Sequence, residues 1–282
     1  MSAVTVAELL REGRRALAGG DAPVFETELF LAAAIEGSRA DLFRAPEHVP
    51  AASQIERFRD FIARRSTGLP AAYILRHREF RDLDLIVTPD VLVPRPETEL
   101  LVEQTLALAD AADAPLTIAD LGTGTGAVAL TIAHSRPLWT VYAVDISTAA
   151  LDVARANALR HRCTNVAFSQ GNWLDAFNGP PLDMIVSNPP YVTTDDPAFS
   201  TGETRHEPRL ALDGGPDGLD AYRAILTQAE NHLKPGGRIL FEHGALQGEA
   251  VRRILADHGF IEPATVKDLA ALDRVTHALR PA

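Results

Sequence analysis

The sequence predicts an α/β protein in which a parallel, doubly wound sheet follows a small, all-helical N-terminal domain. From Thr117 onward, short apolar segments of strand character alternate with helical segments, which is the pattern of a parallel sheet covered by helices. Residues 1–70 instead carry apolar side chains at helical spacing. The 282 residues suffice for one small and one larger domain.

Composition and charge narrow the class of protein. An apolar fraction of 46% with 23% charged residues is typical of a globular protein, and no apolar run is long enough to span a bilayer. The start, MSAVTVAELLREG, lacks the features of a secretory signal. The single cysteine, Cys163, excludes an intrachain disulfide and a cysteine-based metal site. We therefore expect a soluble, cytoplasmic protein without a metal site, and the net charge of −11 disfavours sequence-independent nucleic acid binding.

The N-terminal helices are predicted from their caps and their apolar stripes. Thr5 and Glu8 have the spacing of a capping box at the start of the first helix. A second helix is predicted over residues 23–36. Ser53 and Glu56 predict another capping box, ahead of a stripe that we interpret as core and that comprises Ile55, Phe58, Phe61 and Ile62.

Residues 71–95 are predicted to form a β-hairpin that links the two domains. The short runs YIL, from Tyr73, and LIV, from Leu85, are rich in strand-forming residues and are separated by charged ones. The second domain, residues 96–282, then opens with a helix, because Pro96 suits the first helical position.

The strands of the second domain are predicted at TIADL, TVYAVD, NVAFS, MIVS and RILFEH, with helices between them and a β-rich stretch at the end. One of these helices is predicted over residues 219–233 and is ended by KPGG. A long polar insertion at residues 193–218 is expected to order over a substrate.

A glycine-rich loop follows the first of these strands and opens a helix. Its residues are Gly122, Thr123, Gly124, Thr125 and Gly126. Glycines allow a sharp turn and a close approach of the backbone to a ligand, and Asp145, about 20 positions after Gly124, can accept hydrogen bonds from both hydroxyls of a ribose. These residues predict a nucleoside-cofactor site, but the loop alone does not separate S-adenosylmethionine from NAD. The alternative is that the glycines only pack a helix against a strand.

The tetrapeptide Asn188-Pro189-Pro190-Tyr191 follows the strand MIVS, and open α/β sheets bind ligands at the carboxyl ends of their strands. Two prolines stiffen the turn and remove two backbone donors. We expect the Asn188 side-chain oxygen and the Pro189 carbonyl to accept the two N–H bonds of a planar NH2 group, whose nitrogen is otherwise a poor nucleophile. Tyr191 can stack on that group. The alternative is a Pro-Pro turn that only ends a strand.

Asn172 and Trp173 follow the third predicted strand, where an adenine ring could be contacted. Core packing of Trp173 accounts for the sequence equally well. Of the other polar residues, Glu207 either orders the insertion or is a solvated charge. Glu242 either supports the site or makes a structural hydrogen bond, and the second reading is favoured. His206 and His243 are interpreted as structural.

These motifs together resemble the release factor glutamine methyltransferases, and the resemblance covers nearly the whole chain. The matching segments are REF at 78–80, PRPETELLVE at 94–103, DLGTGTGAVAL at 120–130, VDIS at 144–147, GNW at 171–173, SNPPY at 187–191, HEPRLALDGGPDGL at 206–219 and FEHG at 241–244. Two departures concern local turns: Leu75-Arg76-His77 stands where the family often has a glycine-bearing turn, and Ala278 stands where a glycine is expected.

The resemblance implies a Rossmann-like, seven-stranded class I methyltransferase domain behind a helical substrate-recognition domain. It implies methyl transfer from S-adenosylmethionine, with S-adenosylhomocysteine as product, to the glutamine of the GGQ motif in class 1 peptide chain release factors, which modulates translation termination. The cofactor contacts would be residues 122–126, Asp145, Asn172, Trp173 and Asn188. The substrate contacts would be residues 188–191, and a monomer is expected.

Two other classes of enzyme stay open on the sequence. An adenine-N6 methyltransferase acting on DNA or RNA faces the same chemical problem, although the acidic charge weighs against it. A nicotinamide-dependent dehydrogenase would use the same loop, but no well-placed hydride-transfer acid or base accompanies it. A silent binding scaffold is disfavoured because Asp145 and Asn188 are both present.

Overall fold

The computed structural model describes residues 4–109 and 114–282, and contacts between residues divide the chain into two units with their boundary between Arg76 and His77. Among the described residues, no helix is both long and apolar enough to cross a bilayer.

The first unit is helical. Its helices are α1 (Val6–Ala16), α2 (Pro23–Ala34), α3 (Arg39–Arg44), α4 (Ala52–Ser66) and α5 (Ala71–Leu75). The capping box of Thr5 and Glu8 is confirmed, since Thr5 accepts from the Glu8 backbone N–H and the Glu8 side chain accepts from the Thr5 N–H. The predicted stripe on α4 is largely core, because Phe58, Phe61 and Ile62 are buried.

Two predictions for this unit were wrong. The capping box of Ser53 and Glu56 does not form, because α4 begins at Ala52 and the side chain of Gln54 accepts from the Ala51 N–H at 2.9 Å. The run YIL lies in helix α5 rather than in a strand. Tyr73 and Ile74 are buried there, so packing overrides their local preference for strand.

The second unit begins with a hairpin of β1 (His77–Phe80) and β2 (Leu83–Ile86), which pair antiparallel. The predicted linker of residues 71–95 is therefore a hairpin only over 77–86. Arg76, which precedes β1, has φ +64, so this position does adopt the left-handed conformation that favours glycine. A 3-10 turn, Pro96–Thr98, leads into helix α6 (Glu99–Leu108).

A seven-stranded sheet forms the rest of the second unit. Its strands are β3 (Thr117–Leu121), β4 (Thr140–Asp145), β5 (Val166–Gln170), β6 (Leu182–Ser187), β7 (Leu233–Glu242), β8 (Ile261–Lys267) and β9 (Asp273–Leu279), in the order β5-β4-β3-β6-β7-β9-β8. The intervening helices are α7 (Ala127–Ser135), α8 (Thr148–His161), α9 (Asp220–His232) and α10 (Gly248–Asp257). Strands β3 to β7 pair parallel. The chain order reverses between β3 and β6, and ligands bind at such a switch point in open α/β sheets.

The end of the chain departs from a purely parallel sheet. β9 lies between β7 and β8 and pairs antiparallel with both. The segment KPGG, predicted to lie between a helix and a strand, is already part of β7, which begins at Leu233. Ala278 is buried in β9 opposite Ile239. It lies in a regular strand, so no glycine is needed there.

Candidate active site

The carboxyl ends of four neighbouring strands lie in one row. Strand pairing places Val144, Leu121, Ser187 and Phe241 side by side across β4, β3, β6 and β7. The next residues along these strands are Asp145, Gly122, Asn188 and Glu242. The pairing register therefore brings the predicted glycine loop, its acidic partner and the predicted tetrapeptide to one edge of the sheet.

The glycines of the loop have different surroundings. Gly122, Gly124 and Gly126 have φ of +72, +55 and +83, which all favour glycine. A Cβ on Gly124 would meet nothing within 4 Å, whereas a Cβ on Gly126 would lie 3.0 Å from Leu130 and 3.3 Å from Ala154. Gly124 therefore leaves open space beside the backbone, and Gly126 permits close packing of α7 against α8.

Asp145, the last residue of β4, accepts a hydrogen bond from the glycine loop. Its Oδ2 accepts from the Gly124 N–H at 2.9 Å, and its Oδ1 accepts from the Ser147 N–H at 2.9 Å. Burial raises the pKa of the Asp145 carboxyl, and these backbone donors offset part of that rise. Loop and carboxylate thus form one preorganised unit.

Asp120, at the end of β3, was given no role from the sequence. It is 2% exposed, and its Oδ2 accepts from the Thr123 hydroxyl at 2.7 Å and from the Ala129 N–H at 3.1 Å. Burial raises the pKa of Asp120 to about 7, with a smaller contribution from the charge of Asp145. Asp120 therefore shapes the glycine loop from beneath. Its place two residues before the first glycine is the signal that could have found it.

A cavity of about 340 Å³ opens at this edge of the sheet, within the size range of ligand sites. The predicted site residues that line it are Gly122, Gly124, Asp145, Asn172, Trp173, Asn188 and Pro190. Its wall also includes Leu92, Ile146 and Leu210, which the sequence did not single out. The cavity therefore joins the glycine loop to the tetrapeptide.

Three predicted cofactor residues do not line this cavity. Thr123 and Thr125 are buried, and the Thr123 hydroxyl is engaged by Asp120. The Thr125 carbonyl accepts from the Asn157 side chain at 2.9 Å, and Gly126 is packed against Leu130. These residues shape the loop, and any cofactor contact of theirs stays a prediction.

For Trp173 the sequence left open a contact with an adenine ring and packing in the core. Trp173 lines the cavity, and it also packs against the core that the sheet forms with α9 and α10. Its φ of +62 is unusual for a bulky residue. A Cβ on Gly122 would lie 3.4 Å from the Trp173 ring, so the absence of a side chain at Gly122 leaves room for the indole.

Asn188 is half-buried, and its Nδ2 donates to the Thr98 hydroxyl at 3.1 Å. Its Oδ1 therefore remains available as an acceptor. Pro189 is buried, and none of the described residues donates a hydrogen bond to its carbonyl. The turn presents two acceptors without competing donors, and their binding of a planar NH2 group stays a prediction.

Tyr191 does not line the cavity. Its ring packs against the same core as Trp173, and burial, followed by the charge of Glu242, raises the pKa of Tyr191 to about 12. The Tyr191 carbonyl accepts from the Gln247 side chain at 3.1 Å. Stacking of Tyr191 on a substrate stays a prediction.

The insertion at residues 193–218 is tied to the tetrapeptide. The Val192 N–H donates to Leu212 at 2.9 Å and the Gly214 N–H donates to Val192 at 2.8 Å. A Cβ on Gly214 would lie 2.7 Å from the Pro190 carbonyl oxygen, so this close approach requires glycine.

Glu207 orders this insertion. It is buried, its Oε1 accepts from the Val93 N–H at 3.3 Å, and its Oε2 forms an ion pair with Arg95. Burial raises the pKa of Glu207, while Arg95 and the Val93 N–H act in the opposite direction. The sequence left open whether Glu207 orders the insertion or is a solvated charge, and its burial shows that the second interpretation is wrong.

Glu242 is the last residue of β7, and His243 follows it. His243 is buried and bonded through Nε2 to the Thr276 hydroxyl at 2.8 Å, in agreement with a structural role. Glu242 is 1% exposed, and neither of its carboxyl oxygens has a hydrogen-bond partner of standard geometry among the described residues. A hydrogen bond from Thr98 nevertheless lowers the pKa of Glu242, so both interpretations of Glu242, support of the site and a structural hydrogen bond, stay predictions.

The strand order, the glycine loop after β3 and the carboxylate at the end of β4 define a Rossmann-like class I methyltransferase. Comparison with known proteins agrees. The Methyltransferase small domain model matches residues 97–204, and the PrmC N-terminal domain model matches residues 8–75. A methyltransferase of solved structure from Pyrococcus furiosus is 19% identical with a TM-score of 0.55, over 72% of this chain and 91% of that one, which shows the shared fold.

Curated relatives identify the family. A release factor glutamine methyltransferase from Xylella fastidiosa is 46% identical over 89% of this chain and 91% of its own length. One from Pseudomonas aeruginosa is 46% identical over 96% of this chain and 97% of its own length. The chain belongs to the release factor glutamine methyltransferase family, and it is an S-adenosylmethionine-dependent methyltransferase.

Proposed function

We propose that this enzyme transfers a methyl group from S-adenosylmethionine to the side-chain amide nitrogen, N5, of the glutamine in the GGQ motif of class 1 peptide chain release factors, and so modulates translation termination. The observation that carries the proposal is the turn at Asn188 and Pro189. Thr98 engages the Asn188 NH2 group, which leaves two oxygen acceptors in the turn that adjoins the cavity and no competing donor between them. A carboxamide NH2 group offers two donors, which matches this pair.

The residues present fit the proposed cofactor. Gly124 leaves open space for close approach to the backbone, and Asp145 offers carboxylate oxygens that suit two ribose hydroxyls. Trp173, Leu92 and Ile146 supply an apolar wall that suits an adenine ring. Asn172, which also lines the cavity, supplies a polar group beside that wall.

The turn would orient the amide and stabilise the charge that develops on it. When bound, S-adenosylmethionine supplies an electrophilic methyl group. The Asn188 Oδ1 and the Pro189 carbonyl each accept one N–H bond, which holds the nitrogen in place and favours positive charge on it. Direct displacement needs no covalent enzyme intermediate. One amide proton leaves to water once the nitrogen is cationic, so Asn188 and Pro189 require no partner base.

Other parts of the chain are assigned by the same proposal. Tyr191 stacks on the glutamine side chain, and the insertion at residues 193–218 covers it. The helical unit recognises the release factor. We further propose that the enzyme acts in the cytoplasm as a monomer and does not bind nucleic acid directly, which its net charge of −11 supports.

Mass spectrometry of a purified release factor, before and after incubation with enzyme and S-adenosylmethionine, tests the proposal. We expect one added methyl group on the GGQ glutamine and none on an adenine-containing duplex in a parallel reaction. Asn188→Ala should abolish transfer while still binding S-adenosylhomocysteine. Asn178→Ala, at an exposed asparagine outside the cavity, is the matched control. Methylation of DNA, or an Asn188→Ala enzyme of unchanged activity, would contradict the assignment.

A further inference from the structure

Glu242 is a buried carboxyl group that the reaction outlined above does not use. Glu242 follows Phe241 in β7, and Phe241 is paired with Ser187, the residue before Asn188. Glu242 therefore lies next to Asn188 in the row of strand ends. Both of its oxygens lack a hydrogen-bond partner of standard geometry among the described residues. An unsatisfied buried acceptor is costly, so a carboxyl group in this position calls for an explanation.

Thr98 interacts with both Asn188 and Glu242. Its hydroxyl accepts from the Asn188 Nδ2 at 3.1 Å, and Thr98 is also the side chain whose hydrogen bonding lowers the pKa of Glu242 most. Arg274 and Arg95 lower that pKa further, while burial raises it to about 7 overall. Thr98 is thus the neutral donor that acts on the Glu242 carboxyl group, although the two do not form a hydrogen bond of standard geometry.

A hydroxyl has one hydrogen, so its direction decides what the hydroxyl can offer its other neighbour. If the Thr98 hydrogen is directed to Glu242, the Thr98 oxygen can only accept from Asn188. The Asn188 amide must then turn its NH2 group toward Thr98 and its oxygen toward the substrate. If the hydrogen were directed to Asn188 instead, the amide would turn over and present a donor to the substrate N–H bonds.

We propose that Glu242, acting through the Thr98 hydroxyl, is a positioning residue that fixes the orientation of the Asn188 amide, so that Oδ1 faces the substrate. This inference rests on the proposed function, because it assigns Asn188 Oδ1 as an acceptor for the substrate amide. The inference goes beyond the proposed function because it names the residue that selects between the two orientations of the Asn188 amide, which have nearly the same shape.

Glu242→Gln reverses the hydrogen-bond order while it conserves the size of the side chain. The Gln NH2 group can donate to Thr98, which releases the Thr98 hydrogen toward Asn188. We expect kcat for release factor methylation to fall by ~10–100-fold, the effect of losing one strong hydrogen bond in the transition state, with unchanged affinity for S-adenosylhomocysteine. Assays should be run above the pKa of Glu242.

The free energy of unfolding of Glu242→Gln distinguishes a positioning role of Glu242 from a purely structural one. Replacing a buried, poorly partnered carboxylate by a neutral amide should leave the free energy of unfolding unchanged or raise it. If Glu242 were purely structural, Glu242→Gln would lower the free energy of unfolding, and activity would fall only as far as the folded fraction of the enzyme falls. Equal kcat in Glu242→Gln and the wild type would overturn the proposal.

Thr98 supplies an independent test that does not need a folded Glu242 variant. Thr98→Val keeps the shape but removes the hydroxyl, and it should lose kcat to a similar degree. Thr98→Ser should restore most of that loss. The double variant Thr98→Val/Glu242→Gln should be no slower than the slower single variant, because both changes break one relay. Additive losses, or no rescue by serine, would refute the relay. If the wild type itself fails to methylate a release factor, the proposed function fails instead.

Discussion

Two neighbouring glycines of the cofactor loop should respond differently to the same added methyl group. Gly124 and Gly126 both have positive φ, so alanine at either position costs ~1 kcal/mol of backbone strain. At Gly124 the new Cβ meets nothing within 4 Å in the protein, so little more should be lost from stability. At Gly126 it lies 3.0 Å from Leu130 and 3.3 Å from Ala154, and overpacking adds ~1–3 kcal/mol.

For cofactor binding, Gly124→Ala should be the more damaging of the two changes. The space beside Gly124 is part of the cavity, so the Gly124→Ala methyl group would occupy volume that the cofactor needs. An overlap of ~1–3 kcal/mol weakens binding by roughly 5- to 150-fold. Gly126 does not line the cavity, and Gly126→Ala should change affinity much less.

Urea denaturation and calorimetric titration with S-adenosylhomocysteine measure the two effects separately. Gly259→Ala is the control for backbone strain alone, since Gly259 has φ +78, open space around it and no place in the cavity. We expect Gly124→Ala to match Gly259→Ala in stability and to bind least tightly. If Gly124→Ala bound the cofactor like the wild type, the loop would not be the cofactor contact that the geometry indicates.

Three further changes test other parts of the site. Asp145→Asn should weaken S-adenosylhomocysteine by ~10–100-fold in calorimetry, because one charge-assisted hydrogen bond is lost; unchanged affinity would argue against a ribose contact. Glu207→Gln removes the ion pair with Arg95 and should raise KM for the release factor without changing cofactor affinity; an unchanged KM would count against ordering of the insertion. Because the pKa of Asp120 is raised from 3.8 to about 7, the folded protein keeps a proton that the unfolded chain has lost, so this residue contributes stability that is present below pH 3.8 and lost as pH rises through about 7. Asp120→Asn should remove up to ~4 kcal/mol of that pH dependence in urea denaturation at several pH values, and an unaltered slope would show that Asp120 is not its source.

Much of the site could be predicted from local signals. The glycine loop and Asn188 directly follow short apolar strands and Asp145 ends another, and strand ends of a parallel sheet meet at one edge. The register confirms that they do meet there. Local signals sufficed because each of these residues is placed by its own strand and needs no distant partner to be recognised.

The residues that were missed depend on long-range pairing. Thr98 lies 90 positions from Asn188, and Arg95 lies 112 positions from Glu207. No period or turn signal in the sequence connects such pairs. The carboxyl oxygens of Glu242 were expected to be well bonded, and only the packing around β7 shows that they lack a partner of standard geometry. The strand predicted at Tyr73 failed for a related reason, since burial rather than propensity determined the outcome.

The pairing register of β3 and β6 determines whether Asn188 lies beside the cofactor loop. Side chains alternate between the two faces of a sheet, so a slip of one residue would turn Asn188 to the opposite face and remove it from the Gly122 loop. The Ser187 hydroxyl, which is buried, donates to the Leu121 carbonyl at 2.7 Å at the last paired row. This bond crosses the switch point of the sheet, where no chain connection links the two strands directly. Because such a slip would leave the Ser187 hydroxyl buried without its acceptor, the bond opposes the misalignment that would separate the acceptors from the cofactor loop.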